Sequence, residues 1–144
     1  MKQQSISDSV FALVQAYRIA MRSGLKAQQL GLNAMHVSCL SFIAASHHCT
    51  ANDIVNHFSR DKAQIARLLK EMIEKDWLRK TANPEDKRSQ LLSLTDEGQA
   101  LASLIKETQS KVQSQMCQNL SDQQIEEFEK LAKLMVGNLN EMGR

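Results

Sequence analysis

DKAQIARLLKEMIEK, residues Asp61–Lys75, decides the fold. Ile65, Leu68, Leu69, Met72 and Ile73 recur at the i, i+3, i+4, i+7, i+8 spacing that lays one apolar stripe along an α-helix and commits that face to a core. At 100° per residue the opposite face carries Ala63, Arg67, Lys70 and Glu74, with Gln64 and Glu71 beside them and Lys62 at the start. The outward N-terminal half is therefore small, polar and basic. A helix that enters the major groove of duplex DNA needs a slim leading end, amide and guanidinium groups for base edges, and a buried back that fixes its angle. A lone amphipathic helix is usually no more than a solvated face, so the neighbours of this one carry the weight.

On its N-terminal side, Thr50 caps a short helix with Asp53 three residues on, and Ser59-Arg60 makes a tight turn between the two helices. On its C-terminal side the period changes. Trp77–Thr81 and Gln90–Leu94 have the pattern of strands, and Ala82–Ser89 between them, with Asn83-Pro84 and four charged residues, closes a hairpin. Pro84 stiffens that loop by fixing φ. Asp86 lies two residues before Arg88, close enough to brace an extended guanidinium, and an Arg on a narrow loop suits the negative potential of a minor groove. The bland alternative for the loop is a solvated turn with an incidental ion pair worth under about 1 kcal/mol. Helix, tight turn, helix and hairpin is the winged helix-turn-helix order.

Working outward, the spacing predicts a long first helix over 5–28, capped by Ser5, with Ile6, Val10, Leu13, Val14, Tyr17, Met21 and Leu25 on one stripe. After Gly31, Asn33 caps a second helix to Ser46 with Met35, Val37, Leu40 and Ile43 inward and His47, His48 and Cys49 as its polar end. Thr95 caps a fifth helix to Cys117, and Ser121 with Gln124 forms a capping box for a sixth carrying Ile125, Phe128, Leu131, Leu134, Met135, Leu139 and Met142. The expected fold is mainly α: six helices and one β-hairpin wing. The terminal helices hold more apolar stripe than one small domain covers, so they need partner helices from a second chain. Val10, Leu13, Val14, Tyr17, Phe128, Leu131, Leu134 and Met135 are the candidate dimerisation residues. Residues 31–99 form the DNA-binding region, and 1–30 with 100–144 the dimerisation region.

Composition agrees. The chain has 144 residues, one Pro and five Gly, and aromatic side chains make up only 4% of it, so long helices are interrupted by few breakers. The formal charge of +2 decides nothing alone. Residues 1–49 set Lys2, Arg18, Arg22 and Lys26 against Asp8; residues 50–95 hold 9 basic and 7 acidic groups; residues 96–144 hold 5 and 8. The acidic C-terminal stretch is a poor place for phosphates. Cys39, Cys49 and Cys117 are odd in number and lack CxxC spacing, and the N-terminus lacks an apolar signal region. No run nears the ~20 apolar residues that span a bilayer. A reducing, cytoplasmic setting without membrane contact is expected.

Asn83-Pro84-Glu85-Asp86-Lys87-Arg88, the strand after it, and Leu94-Thr95-Asp96-Glu97-Gly98 together resemble the wing of the MarR family, an Asp-x-Arg loop followed by Leu-Thr-x-x-Gly. The resemblance runs over Thr50–Ala100, and the order of helices and hairpin extends it along the chain. It implies a homodimer whose first, fifth and sixth helices interlock and whose two winged lobes reach successive major grooves of a near-palindromic operator. It also implies a repressor released by a small aromatic or anionic ligand held between the dimerisation and DNA-binding parts. The chain departs from the family at Asp76, where Gly is frequent, and at Glu85, an acid near the wing tip.

The candidate DNA contacts are Lys62, Ala63, Gln64, Arg67 and Lys70 on the recognition helix, Ser59 and Arg60 in the turn, and Asp86, Lys87 and Arg88 in the wing. Two other functions compete: a winged-helix dimer that docks a protein instead of DNA, and a thiol-based redox sensor. The redox-sensing branch resembles a reactive Cys near the end of the first helix; here that helix has none, and Cys39 among Val37, Leu40 and Phe42 has the setting of a buried, inert thiol. His47, His48, Cys49 and His57 lack metal-ligand spacing. No phosphate loop, nucleophile elbow or acid–base pair marks an enzyme, so no catalytic residue, metal or cofactor is assigned. Trp77 is expected to pack rather than to stack on bases.

Overall fold

A computed structural model describes residues 5–143. The elements are α1 (Ile6–Leu25), α2 (Ala27–Leu30), α3 (Ala34–Ala45), β1 (Cys49–Thr50), α4 (Ala51–Phe58), α5 (Lys62–Glu74), β2 (Leu78–Ala82), β3 (Gln90–Leu94), α6 (Asp96–Met116) and α7 (Asp122–Met142). The chain forms two compact units, one through Ser110 and one from Lys111. Residues 1–4 and 144, part of the expected dimerisation region, lie outside the described residues.

Four helices start the same way. Ser5, Asn33, Thr50 and Ser121 each accept the N–H of the residue three on, and that residue's side chain accepts the cap's own N–H. Two donors that a helix start would leave unpaired are thereby satisfied. The first helix ends earlier than expected. Lys26 turns left-handed at φ 52°, closing α1 at Leu25, and the one-turn α2 follows before Gly31 at φ 72°. Gly24 lies against Thr108: a Cβ there would come within 2.8 Å of the threonine methyl, so glycine lets α1 approach α6 closely.

The buried stripe of α3 is His36, Cys39, Leu40 and Ile43; Met35 and Val37, expected inward, are only half-buried. A histidine at the head of the stripe moved its phase by one residue. The polar end expected at His47-His48-Cys49 is also different. Helix α3 stops at Ala45, and Cys49 is buried in β1, paired with Leu92 while Thr50 pairs with Leu91. The sheet therefore has three antiparallel strands in the order β1-β3-β2, with the wing pair in register from Leu78↔Leu94 to Ala82↔Gln90.

A joint between wing and helix explains the Leu-Thr-x-x-Gly motif. Thr95 Oγ1 donates to the Asp76 carbonyl at 2.6 Å and accepts the Gly98 N–H at 3.0 Å, while the Thr95 N–H donates to the Trp77 carbonyl. A Cβ on Gly98 would overlap that carbonyl, so only glycine fits. Asp76 takes the left-handed conformation at φ 63°, the geometry its missing glycine would have supplied. Trp77 is buried, as packing requires.

Candidate nucleic-acid interface

Helix α5 is fixed from behind. Ile65, Leu69 and Met72 are buried, while Lys62, Ala63, Gln64, Arg67 and Lys70 are all exposed. The turn before it is tight because Ser59 is left-handed at φ 51°, with the N–H groups of Ser59 and Arg60 both donating to the Val55 carbonyl. Asp61 occupies the N-cap position but makes no side-chain cap, leaving the first-turn N–H groups of α5 without one. Arg60, Gln64 and Arg67 line one shallow groove of about 330 Å³ together with Asn33, Met35 and Glu71. The turn and α5 thus bring their polar groups to one place.

The wing loop is organised by its own side chains. Asn83 Oδ1 accepts the Glu85 N–H at 3.0 Å, and its Nδ2 donates to Ser89 Oγ at 2.9 Å. Asp86 Oδ1 accepts the Arg88 backbone N–H at 2.9 Å and stands 3.8 Å from Arg88 Nε. The brace expected between Asp86 and the guanidinium therefore acts first on the backbone that carries Arg88. The Arg88 side chain is 96% exposed and points free of the body; Lys87 is exposed beside it.

The candidate dimerisation residues fall into two groups. Val10, Leu13 and Val14 on α1 are exposed and Tyr17 is half-buried; Phe128, Leu131, Leu134 and Met135 on α7 are exposed.

Two features escaped the sequence. One is a cavity of about 950 Å³ inside the first unit, walled by Tyr17, Met21, Val37, Phe42 and Phe58, with Arg18 and Arg22 on its lining. His57, discounted as a metal ligand, stacks on Phe42 at 4.2 Å in this wall. The second is the setting of His36, which is buried and hydrogen-bonded to Glu71 at 3.1 Å. Desolvation holds its pKa below the usual histidine value, against the opposing attraction of Glu71.

Cys39 and Cys49 are both buried. Burial pushes Cys39 up to about 12 and Cys49 up to about 11, with smaller contributions from Cys49 on the first and Asp53 on the second. Among the described residues no three His, Cys, Asp or Glu side chains are grouped to hold a metal, and no helix is long and apolar enough to cross a membrane.

A short helix, a tight turn, a second helix with a polar outward face and a braced antiparallel hairpin define a winged helix-turn-helix protein. Residues 30–89, which contain all these parts up to the end of the wing loop, match the model of the MarR family. The chain is 26% identical over 130 residues to the HTH-type transcriptional regulator BilQ of Clostridioides difficile (strain CD3), covering 90% of this chain and 86% of that protein. Its fold is similar to the reduced form of MarR from E. coli (TM-score 0.76, 20% identity, 94% of this chain and 98% of that one). It is also similar to MepR of S. aureus in its DNA complex (TM-score 0.81, 17% identity, 94% and 99%) and to an E. coli MarR mutant complexed with operator DNA (TM-score 0.77, 21% identity, 90% and 92%).

Proposed function

We propose that this protein is a sequence-specific duplex-DNA-binding transcription regulator, acting as a homodimer on a near-palindromic operator in the cytoplasm. The observation that carries this reading is the pairing of α5, buried behind and polar in front, with a wing whose loop presents Arg88 outward. Gln64 and Arg67 have the donor groups to read base edges, and Lys70 and Lys62 the charge for phosphates. Arg60 at the turn and the first-turn N–H groups of α5 suit a phosphate as well. Arg88, with Lys87 beside it, reaches for the minor groove. The solved complexes of MarR and MepR with DNA support the reading by likeness of fold.

In this reading residues 31–99 meet DNA, and residues 1–30 and 100–144 hold two copies together through the exposed faces of α1 and α7. The protein represses and is released by a small aromatic anion in the 950 Å³ cavity, whose apolar wall takes the ring and whose Arg18 and Arg22 take the charge. Catalysis plays no part.

Selection of duplexes from a random pool by the purified protein tests this. The expected product is one motif with two inverted half-sites about 10 base pairs apart, centre to centre. Recovery of no motif, with elution from heparin at low salt, would turn the reading toward a module that docks a protein.

A further inference from the structure

His36 sits where two parts of the first unit meet. It is the third residue of α3, and its side chain is 2% exposed. The Asn33 N–H donates to its Nδ1 at 3.1 Å, so the ring proton belongs on Nε2, which lies 3.1 Å from Glu71 Oε1 on α5. The Trp77 ring meets it edge-on at 5.2 Å, and Lys75, 4.0 Å from Glu71 and 4.9 Å from the Trp77 ring centre, closes the cluster. Glu71 is one helical turn beyond Arg67 and Leu68 and lines the groove that holds Gln64 and Arg67. A buried imidazole engaged at both nitrogens, with Glu71 its side-chain partner and the Gly31 carbonyl also within its reach, is a rigid strut.

We propose that His36 is a positioning residue for sequence recognition: through Glu71 it ties the first turn of α3 to the recognition helix and sets the angle at which Gln64 and Arg67 meet base edges. This rests on the DNA-binding function proposed above. The strut touches no DNA. Its effect falls on the base-edge contacts, which depend on angle, and spares the phosphate contacts, which depend mainly on charge.

Glu71→Ala separates the strut from simple charge. Deleting an exposed carboxylate beside the DNA-reading face tightens binding to every duplex if only electrostatics operates. If His36 positions α5 through Glu71, preference for the selected duplex over a scrambled duplex of the same composition falls about tenfold, while scrambled binding holds or rises. Glu71→Gln, which removes the charge but keeps the acceptor, retains the preference. His36→Phe, which keeps a ring against Trp77 without nitrogens, loses it, and the double variant His36→Phe/Glu71→Ala loses no more than either single change. A merely structural role would lower the melting temperature and the active fraction on both duplexes alike and leave their ratio unmoved. An unchanged ratio in Glu71→Ala, or additive losses in the double variant, overturns the proposal. Absence of any preference in the wild-type protein overturns the DNA-binding function itself, and shows before any variant is made.

Discussion

Helices α5 and α7 share a periodic plan and end in opposite states. In α5 most of the apolar stripe is used: Ile65, Leu69 and Met72 are buried, Leu68 and Ile73 half-buried, and what faces outward is mainly amide, guanidinium and ammonium. In α7 no residue is buried; Phe128 is 56% exposed, Leu131 51% and Leu134 58%. An exposed polar face asks for a charged, hydrogen-bonding partner. An exposed stripe of large apolar side chains asks for another apolar stripe. One protein thus carries two kinds of unfinished surface, which the proposed function offers to duplex DNA at α5 and to a second copy of the chain at α7.

The comparison breaks most readily at α7. Leu131→Glu with Leu134→Glu places two carboxylates on the stripe, and each leucine that a dimer would bury costs up to about 1.5–3 kcal/mol when lost, before the charge is counted. Sedimentation should show wild-type dimers and monomers or insoluble chains for the double variant. A stable wild-type monomer at micromolar concentration would mean that the α7 face is covered in some other way.

The next effect tests what fixes the back of α5. Its C-terminal end runs through Asp76 and Trp77 into the Thr95–Gly98 joint, so Gly98→Ala drives a methyl into the Trp77 carbonyl. A loss of at least ~2 kcal/mol is expected, read as a fall of roughly 5 °C or more in thermal unfolding. A variant as stable as wild type would show that the joint yields, and that the motif constrains something other than packing.

Much of this contrast was legible from residue order. The stripes of α1, α5, α6 and α7, the capping residues and the two wing strands, the first displaced by one residue to Leu78–Ala82, follow from local periodicity and turn chemistry, which act over a few residues. The parts missed depend on distant partners. Strand β1 is two residues long and exists because Leu91 and Leu92 lie beside it. The link from His36 to Glu71 spans 35 positions, and nothing near either residue announces it. The cavity is a space between α1, α3 and α4, so its lining was named for other reasons or passed over, as Arg18 and Arg22 were counted only as charge. The shared outward placement of Gln64, Arg67 and Lys70 was legible because helix geometry alone puts them on one side; the backbone role of Asp86 needed coordinates.

Within α5 the outward residues should divide by task. Gln64→Ala removes a base-edge donor and acceptor, and preference should relax by ~1–3 kcal/mol at one position in each half-site. Lys70→Ala should weaken all duplexes alike and lower the slope of affinity against salt by about one ion. If Gln64→Ala left the selected motif unchanged, the outward face of α5 would be a phosphate-binding surface only, and the contrast with α7 would reduce to charge against grease.

In the proposed function the wing extends the reading face of α5, and its test carries the smallest effect with the clearest sign. Arg88→Ala removes a fully exposed cation, and weaker binding is expected on any account. Arg88→Lys keeps the charge but not the planar fork, so it should recover only part of the loss. Asp86→Ala is more discriminating. Coulomb's law alone has a carboxylate near phosphates repelling DNA, so its removal tightens binding. The geometry argues the other way. Asp86 Oδ1 holds the Arg88 N–H at 2.9 Å, and the Asp86 carbonyl takes the Ser89 N–H at 3.3 Å, so the side chain fixes the stretch of backbone from which Arg88 projects. Without it the loop samples more conformations and must be ordered on binding, at about 1–2 kcal/mol for each residue so freed. That exceeds the exposed, salt-screened repulsion of one carboxylate, under about 1 kcal/mol. Asp86→Ala should therefore bind the selected duplex several-fold more weakly, and Asp86→Asn, which keeps an oxygen for the Arg88 N–H, should bind as well as wild type or better. Titration of the three proteins at one salt concentration decides: tighter binding by Asp86→Ala would make Asp86 a plain repulsive charge and leave the wing without preorganisation.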